Sequence, residues 1–190
     1  MSGISFIKQY ITKPRTVGAV WPSSKYLAAG MVRDIDFQRA RCIVEYGPGT
    51  GVFTDKILQR RKPETLVILL EFNPEFCRLL QNKYKNEPNL HIVNDSAENI
   101  ETYLLQNNVP YADYIVSGLP FASLPQEVSA RILTNTRKHL RPGGRFITFQ
   151  YTLLKMGLIG EYFCKISTKR VLRNIPPAHV LCCEMAEESQ

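Results

Sequence analysis

The stretch CIVEYGPGTGVF, residues 42–53, decides the fold of this chain. A short run typical of a strand, CIVEY, leads into a turn from Gly47 to Gly51, and an amphipathic segment follows from Val52 to about Arg60. A strand, a glycine-rich turn and a helix in this order open a β-α-β unit. Because glycine permits tight bends and close approach of the backbone to a ligand, the turn predicts a nucleotide-binding loop.

Alternating strands and helices are predicted along the rest of the chain. Further strands are expected at 65–71, 90–94, 113–117 and 145–151, followed by a closing pair at about 169–174 and 178–184. The longest helix between them runs from about 126 to 140, where Arg141-Pro142-Gly143-Gly144 closes it. Two helices, at about 3–11 and 22–32, precede the first strand. The pattern is typical of an α/β fold in one domain over 1–190.

Charge and composition limit the function. The chain has 190 residues and a formal net charge of +7, and no acidic residue precedes Asp34. This basic beginning predicts an anionic partner such as nucleic acid, an acidic lipid surface or a phosphorylated substrate. No apolar run approaches the roughly 18 residues of a membrane span, and the first residues are too polar for a secretory signal, so a cytoplasmic protein is expected. The five cysteines lack the spacing of a zinc site or a disulfide framework, and no metal is expected.

The spacing of the glycines distinguishes between two kinds of nucleotide. The dinucleotide pattern G-x-G-x-x-G would place its third glycine at position 52, which is Val52, whereas the third glycine here is Gly51. An acid at the strand end, Glu45, suits the ammonium group of S-adenosylmethionine (SAM), directly or through water. The residues of this loop that are expected to contact the cofactor are Glu45, Gly47, Pro48, Gly49, Thr50 and Gly51.

Two further strand ends carry side chains that suit the same cofactor. Glu71 ends the second predicted strand and can accept hydrogen bonds from both hydroxyls of a ribose, while Phe72 can pack on the adenine. Asp95 ends the third strand and can accept from the exocyclic amine of adenine. Ser96 or Ala97 then offers a backbone N–H. The three elements fall at successive strand ends, so they are expected to meet in one crevice.

On these motifs, residues 40–151 resemble class I SAM-dependent methyltransferases. The resemblance implies a Rossmann-like seven-stranded sheet of order 3-2-1-4-5-7-6, with the last strand antiparallel and helices on both faces. It also implies an N-terminal helical extension over 1–40, SAM as the methyl donor and S-adenosylhomocysteine as the product.

The fourth predicted strand ends in Ser117-Gly118-Leu119-Pro120-Phe121. This segment resembles the [DNS]-[LP]-P-[FY] motif of amino-methylating enzymes, with Gly118 present as in lipid enzymes. The resemblance implies that Ser117, which also borders the cofactor, and the carbonyls near Gly118 and Leu119 accept hydrogen bonds from the acceptor amine. Pro120 fixes the turn, and Phe121 stacks on the substrate nitrogen. The alternative is an ordinary turn between a strand and a helix.

Two other segments resemble bacterial phospholipid N-methyltransferases. They are VGAVWPSS, residues 17–24, and NIPPAHV, residues 174–180. The resemblance implies methylation of the amine of phosphatidylethanolamine, with an N-terminal helix that covers the SAM site and lies on the membrane. A short amphipathic helix that carries Phe6, Ile7, Tyr10 and Ile11 suits an anionic bilayer surface. The flanking basic residues are Lys8, Lys13 and Arg15. The enzyme would then be peripheral at the inner membrane face.

Other functions fit part of the pattern. Ribosomal RNA adenine dimethylases share the strand order and a similar fourth-strand motif, and positive charge suits RNA phosphates. Those enzymes usually add a C-terminal helical domain, and the residues after Tyr151 are few for such a domain. A small-molecule methyltransferase and a SAM-binding protein without catalysis also remain open. No phosphate clamp for a lipid headgroup stands out, although Lys25, Arg33 or Arg170 could serve.

Overall fold

The computed structural model describes residues 24–153 and 156–185 as an α/β sandwich around one sheet. The strands are β1 (Cys42–Tyr46), β2 (Leu66–Leu70), β3 (Leu90–Val93), β4 (Ala112–Ser117), β5 (Leu140–Gln150), β6 (Lys165–Val171) and β7 (Ala178–Glu184). The helices are α1 (Lys25–Met31), α2 (Val52–Arg60), α3 (Pro74–Lys83), α4 (Ile100–Gln106), α5 (Gln126–His139) and α6 (Met156–Gly160).

The strands lie in the order β3-β2-β1-β4-β5-β7-β6. Neighbouring strands from β3 to β5 pair in parallel, and β7 pairs antiparallel with both β5 and β6. Both the order and the antiparallel last strand confirm the prediction. Since β6 opposes β7, it runs in the same direction as β1 to β5. The carboxyl ends of six strands therefore meet at one edge of the sheet, which we call the carboxyl edge.

Helices cover both faces of the sheet, as predicted. On the α2 face, α1 and α2 pack against strand residues such as Ile43 and Ile147. On the α5 face, α4, α5 and α6 pack against Tyr46, Ile115 and Phe146. Central strands are buried along their whole length, because apolar side chains on both faces meet a helix layer.

Local capping explains where several helices begin. The side chain of Asn73 accepts hydrogen bonds from the backbone N–H groups of Glu75 and Phe76, and Pro74 occupies the first position of α3. Ser24 caps α1 by accepting from the N–H of Leu27 at 3.1 Å. Both helix starts agree with the sequence pattern.

Two local predictions were wrong. Arg141 to Gly144 do not separate α5 from β5; β5 begins at Leu140, and these residues form a register shift against β4. The sixth strand lies at Lys165–Val171 and not at 169–174, because its pairing with β7 sets its register.

The first predicted helix, at 3–11, and most of the extension over 1–40 lie outside the described residues. The second N-terminal helix is present as α1, which packs on the sheet. Within 24–153 and 156–185, no helix has both the length and the apolar character needed to cross a membrane.

Candidate active site

The glycine-rich loop between β1 and α2 adopts a conformation that glycine favours. Gly47, Gly49 and Gly51 have φ angles of +60°, +57° and +85°. A Cβ on Gly51 would lie 2.5 Å from the hydroxyl of Tyr84, whereas a Cβ on Gly49 would meet no atom within 4 Å. The backbone at Gly49 therefore borders open space, which leaves room for a ligand close to the main chain.

The turn after β4 lies directly against this loop. The N–H of Gly118 donates to the carbonyl of Tyr46 at 2.8 Å. A Cβ on Gly118 would approach the carbonyl oxygen of Gly47 to 2.6 Å, and a Cβ on Gly47 would lie 2.8 Å from Leu119 Cδ2. The two segments that were predicted to bind the cofactor and the acceptor thus form one compact unit.

Glu71 links the end of β2 to the loop. Its Oε2 accepts from the N–H of Gly49 at 2.9 Å, and its Oε1 accepts from the N–H of Asn73 at 2.8 Å. Burial raises the pKa of Glu71, although these two hydrogen bonds act in the opposite direction. Each carboxylate oxygen retains a second lone pair, so Glu71 can still accept from a pair of ribose hydroxyls.

Asp95 is committed to its own segment. Its carboxylate accepts from the N–H of Ser96, from Asn99 Nδ2 through both oxygens and from the hydroxyl of Tyr103. Burial acts to raise the pKa of Asp95, but the bonds from Tyr103, Ser96 and Asn99 together lower it. Since a carboxylate has about four lone-pair sites, an adenine amine would have to displace one of these donors.

A pocket opens on the α5 face at the carboxyl edge. Its lining comes from the ends of β1 to β4 and from the start of α5, and consists of Gly47, Leu70, Glu71, Phe72, Asp95, Ser96, Ala97, Leu119, Pro120, Leu124, Val128 and Ile132. One acidic side, formed by Glu71 and Asp95, faces an otherwise apolar slot. The structure therefore brings the second- and third-strand motifs together with Gly47, Leu119 and Pro120. The other predicted loop residues, Pro48, Gly49, Thr50 and Gly51, do not line this pocket.

Glu45 lies outside this pocket. It is fully buried on the α2 face, where its Oε2 accepts from the hydroxyl of Thr54 at 2.7 Å. Its Oε1 has no hydrogen-bond partner among the described residues. Burial raises the pKa of Glu45 to about 8, against the effect of Thr54. The free Oε1 can take part in one more hydrogen bond, and a cationic group beside it would favour the ionised carboxylate.

Ser117 and Phe121 are both buried. The Oγ of Ser117 accepts from the N–H of Leu119 at 3.2 Å, which holds the turn. Phe121 is only 1% exposed and packs edge-to-face on Phe146, with ring centroids 6.0 Å apart. The ring therefore belongs to the core of the α5 face in this conformation and does not line the pocket. Stacking of Phe121 on a substrate nitrogen would require this ring to move.

Sequence reasoning missed Gln150 at the end of β5. It is 4% exposed, and neither atom of its amide has a hydrogen-bond partner among the described residues. Thr148, two residues earlier, pairs with Ser117, so Gln150 extends beyond the end of β4 on the face that carries Phe146 and Phe121. A buried amide without partners is costly, and at this edge of a parallel sheet ligands bind. A glutamine inside an apolar strand is the signal that could have identified it.

The structural neighbours agree with this geometry. A precorrin-6y C5,15-methyltransferase from Geobacter metallireducens GS-15 superposes with a TM-score of 0.62 at 14% identity, over 85% of this chain and 87% of that chain. A SAM-dependent O-methyltransferase from Thermotoga maritima gives a TM-score of 0.63 at 11% identity, over 94% and 72%. Likeness at such identity shows the fold alone. Fold and site together define a class I SAM-dependent methyltransferase.

Sequence relatives specify the family. A model of the ribosomal RNA adenine dimethylase family matches residues 17–152, and the chain belongs to that family. An ornithine lipid N-methyltransferase from Singulisphaera acidiphila is 32% identical, over 97% of this chain and 96% of that protein. A ribosomal RNA small subunit methyltransferase A from Hydrogenobaculum sp. is 29% identical, over 66% and 54%. The chain thus spans about half the length of the ribosomal RNA relative.

The residues present fit SAM as the cofactor. The apolar slot suits an adenine ring, Glu71 can hold the ribose, and the open side of Gly49 lets the cofactor approach the backbone. The unsatisfied oxygen of Glu45 suits an ammonium group. Among the described residues, no group of His, Cys, Asp and Glu side chains is arranged to hold a metal ion.

Proposed function

We propose that this enzyme N-methylates a primary amine in the headgroup of a membrane lipid. The observation that supports the proposal most directly is the extent of the sequence match. The lipid-methylating relative aligns over nearly the whole of both chains, whereas the ribosomal RNA relative aligns over about half of its own length. The segment from Lys165 to Glu184, which follows the family match, is therefore shared with the lipid enzyme.

The acceptor amine would lie between the turn after β4 and the end of β5. When bound, SAM supplies an electrophilic methyl group, so the protein need only hold a neutral amine in line with it. The carbonyls at Gly118 and Leu119 are candidate acceptors for the amine hydrogens. The side-chain carbonyl of Gln150 is a further candidate, because it is buried without a partner at the same edge.

Two lipid classes carry a suitable amine. Phosphatidylethanolamine offers a primary amine beside a phosphate, and an ornithine lipid offers one in a headgroup that carries a carboxylate. The segments at 17–24 and 174–180 favour the phospholipid, and the relative from Singulisphaera acidiphila favours the ornithine lipid. Both share an amine at the membrane surface, which is the chemistry that we propose the site selects.

Adenine in ribosomal RNA is the second candidate acceptor. The family model favours it, because that family is named for ribosomal RNA adenine dimethylase, and the relative from Hydrogenobaculum sp. is named as a methyltransferase of small-subunit ribosomal RNA. Adenine presents a planar amine that would enter between Pro120 and the end of β5.

A labelled-methyl assay tests these candidates together. Purified enzyme and labelled SAM are incubated with vesicles of phosphatidylethanolamine, vesicles of ornithine lipid, ribosomal RNA and free ethanolamine or ornithine. We expect label in one lipid and none in RNA. The Gly49→Arg protein, which should not bind SAM, controls for carried-over activity. Label in RNA alone or in a free amine alone would contradict the lipid proposal.

A further inference from the structure

The loop between β6 and β7, residues 172–177, exposes aliphatic side chains at the carboxyl edge. Leu172 is 66% exposed and Ile175 is 75% exposed. The loop is nevertheless tied down, because Asn174 is 3% exposed and its Oδ1 accepts from the N–H of Ser24 at 3.0 Å. Its Nδ2 donates to the carbonyl of Pro176 at 2.7 Å. An anchored loop that presents two large aliphatic side chains to solvent is unusual unless something covers them.

Exposed apolar side chains concentrate in this part of the edge. Seven large apolar side chains are exposed among the described residues. Four of them lie near this loop: Leu172 and Ile175 belong to it, Leu153 follows β5, and Tyr26 lies at the start of α1. Since β5 and β6 are parallel, Leu153 lies at the same edge as the loop. The other three lie on α3, on α4 or just before β4. The clustering therefore marks one surface, which we call the loop surface.

Basic side chains surround the loop surface. The guanidinium of Arg173 lies 5.3 Å from the ring centre of Tyr26, and Lys25 Nζ lies 5.4 Å from the same ring. Arg170 is exposed one residue before the end of β6. None of the described acidic residues forms an ion pair with Lys25, Arg170 or Arg173. These cations are free to meet an anionic partner.

The net positive charge of the protein comes from two segments, whose described parts meet at this surface. Residues 1–33 and 162–183 contain nine of the 24 basic residues and none of the 17 acidic residues. The remaining 15 basic and 17 acidic residues give a net charge of −2. Residues of α1 pack on β6 and β7, where a Cβ on Gly30 would lie 3.3 Å from Val180 and 3.4 Å from Val171. The fold therefore brings residues 24–33, the described part of the first acid-free segment, against the second one.

We infer that the loop surface docks the enzyme on an anionic lipid bilayer. Aliphatic tips that enter the acyl boundary, with arginine and lysine at headgroup level, are the features that bind such an interface. RNA fits less well, because the aliphatic side chains of Leu172 and Ile175 can neither pair with phosphates nor stack on bases. The inference rests on the proposed function, since docking on a membrane serves an enzyme whose substrate is a membrane lipid. Docking at the carboxyl edge would place the membrane beside the pocket and the turn after β4.

Vesicle sedimentation tests the inference with lipids that carry no amine for methylation. The full chain is mixed with vesicles of equal parts phosphatidylglycerol and phosphatidylcholine, or of phosphatidylcholine alone, without SAM. We expect binding to the anionic vesicles to be much stronger than binding to phosphatidylcholine alone. Leu172→Ser with Ile175→Ser should lower the partition constant about tenfold, and Arg170→Gln with Arg173→Gln should do so by a similar factor at low salt.

Matched variants on the opposite side of the molecule are the controls. Leu105→Ser removes an aliphatic side chain that is 68% exposed at the end of α4, and Arg137→Gln removes an exposed cation of α5. Both should bind vesicles as the wild type does. Equal losses in the control and loop variants, or binding that ignores all of them, would overturn the inference.

Methyl transfer separates this inference from the proposed function. The wild-type enzyme could methylate lipid in detergent micelles and yet fail to bind vesicles. That result would overturn the docking surface and leave the proposed lipid substrate in place. Loop-dependent vesicle binding without methylation of any lipid would support the docking surface and refute the proposed substrate.

Discussion

Gly49 is the residue at which cofactor binding is most directly testable. Its φ of +57° disfavours any side chain, and its N–H is bonded to Glu71. A Cβ there meets no protein atom, so Gly49→Ala should fold with a loss of roughly 1–2 kcal/mol in the free energy of unfolding. Gly49→Arg should fold comparably but abolish SAM binding, because its side chain occupies the open space. Calorimetric titration of both variants with SAM measures this; an unchanged affinity for Gly49→Arg would refute the loop as the cofactor site.

Glu45 gives the protein a defined pH dependence. Its pKa in the folded state is raised to about 8, and burial is the largest cause. The hydrogen bond from Thr54 and the charge of Lys83 lower this pKa, whereas the charges of Glu71 and Asp55 raise it. A carboxyl whose folded-state pKa exceeds its unfolded value stabilises the fold below about pH 4.5, and this stability is lost as pH rises to about 8.

Glu45→Gln should remove that component. Relative to the wild type, the variant should gain stability between pH 5 and 8 by roughly 1 kcal/mol per pH unit and then level off. Urea unfolding of both proteins without SAM, at several pH values in this window, measures the difference. A difference that does not change with pH would mean that the Glu45 carboxyl is ionised throughout.

Gln150 separates a structural amide from one that contacts the acceptor. Replacing a buried amide that has no partner by an apolar side chain should leave the free energy of unfolding unchanged or higher. We therefore expect the Gln150→Leu protein to fold well and to bind SAM normally. Its KM for the acceptor should rise about tenfold or more, because one hydrogen bond to a cationic or polar group is lost. Ser129→Ala, which removes another buried unpartnered atom on α5, should leave KM unchanged. Wild-type kinetics in Gln150→Leu would exclude the contact.

At the scale of elements, the contact between the glycine-rich loop and the turn after β4 governs the site. Because a Cβ on Gly118 would approach the carbonyl oxygen of Gly47 to 2.6 Å, Gly118→Ala must push the two segments apart. We expect a loss of methyl transfer of about 100-fold, since small misplacements of reacting groups are costly. Gly157→Ala, whose Cβ meets nothing within 4 Å, is the matched control. Comparable activity of the two variants in the labelled-methyl assay would show that the contact is not needed.

The sequence predicted those elements whose signals are local. β1 and α2 lie at the expected residues because the apolar run, the glycines and the amphipathic segment are contiguous. β6 was misplaced because it is an exposed edge strand with little apolar alternation, and its register comes from β7. The burial of Phe121 depends on its contact with Phe146 in β5. The amide of Gln150 is unpaired because no described side chain or backbone group is placed to form a hydrogen bond with it. Such properties are set by distant parts of the chain.

At the scale of the whole molecule, charge is separated between regions. The two acid-free segments carry every excess positive charge, and the remainder is slightly acidic. Attraction to an anionic surface should therefore orient the molecule with the loop surface forward before any apolar contact forms. In this orientation the carboxyl edge, with the pocket and Gln150, faces the lipid.

The same separation predicts how salt and truncation act on membrane binding. Raising the ionic strength from about 0.15 M to 1 M shortens the screening length from roughly 8 Å to 3 Å, so binding to anionic vesicles should weaken but retain the part due to Leu172 and Ile175. Removing residues 1–11, which are expected to form an amphipathic helix, should weaken it further. Because two linked contacts act through effective concentration, the truncation and the Leu172→Ser, Ile175→Ser change should together cost more than either alone. Sedimentation of the four proteins across a salt series measures this, and binding that ignores salt would contradict the electrostatic orientation.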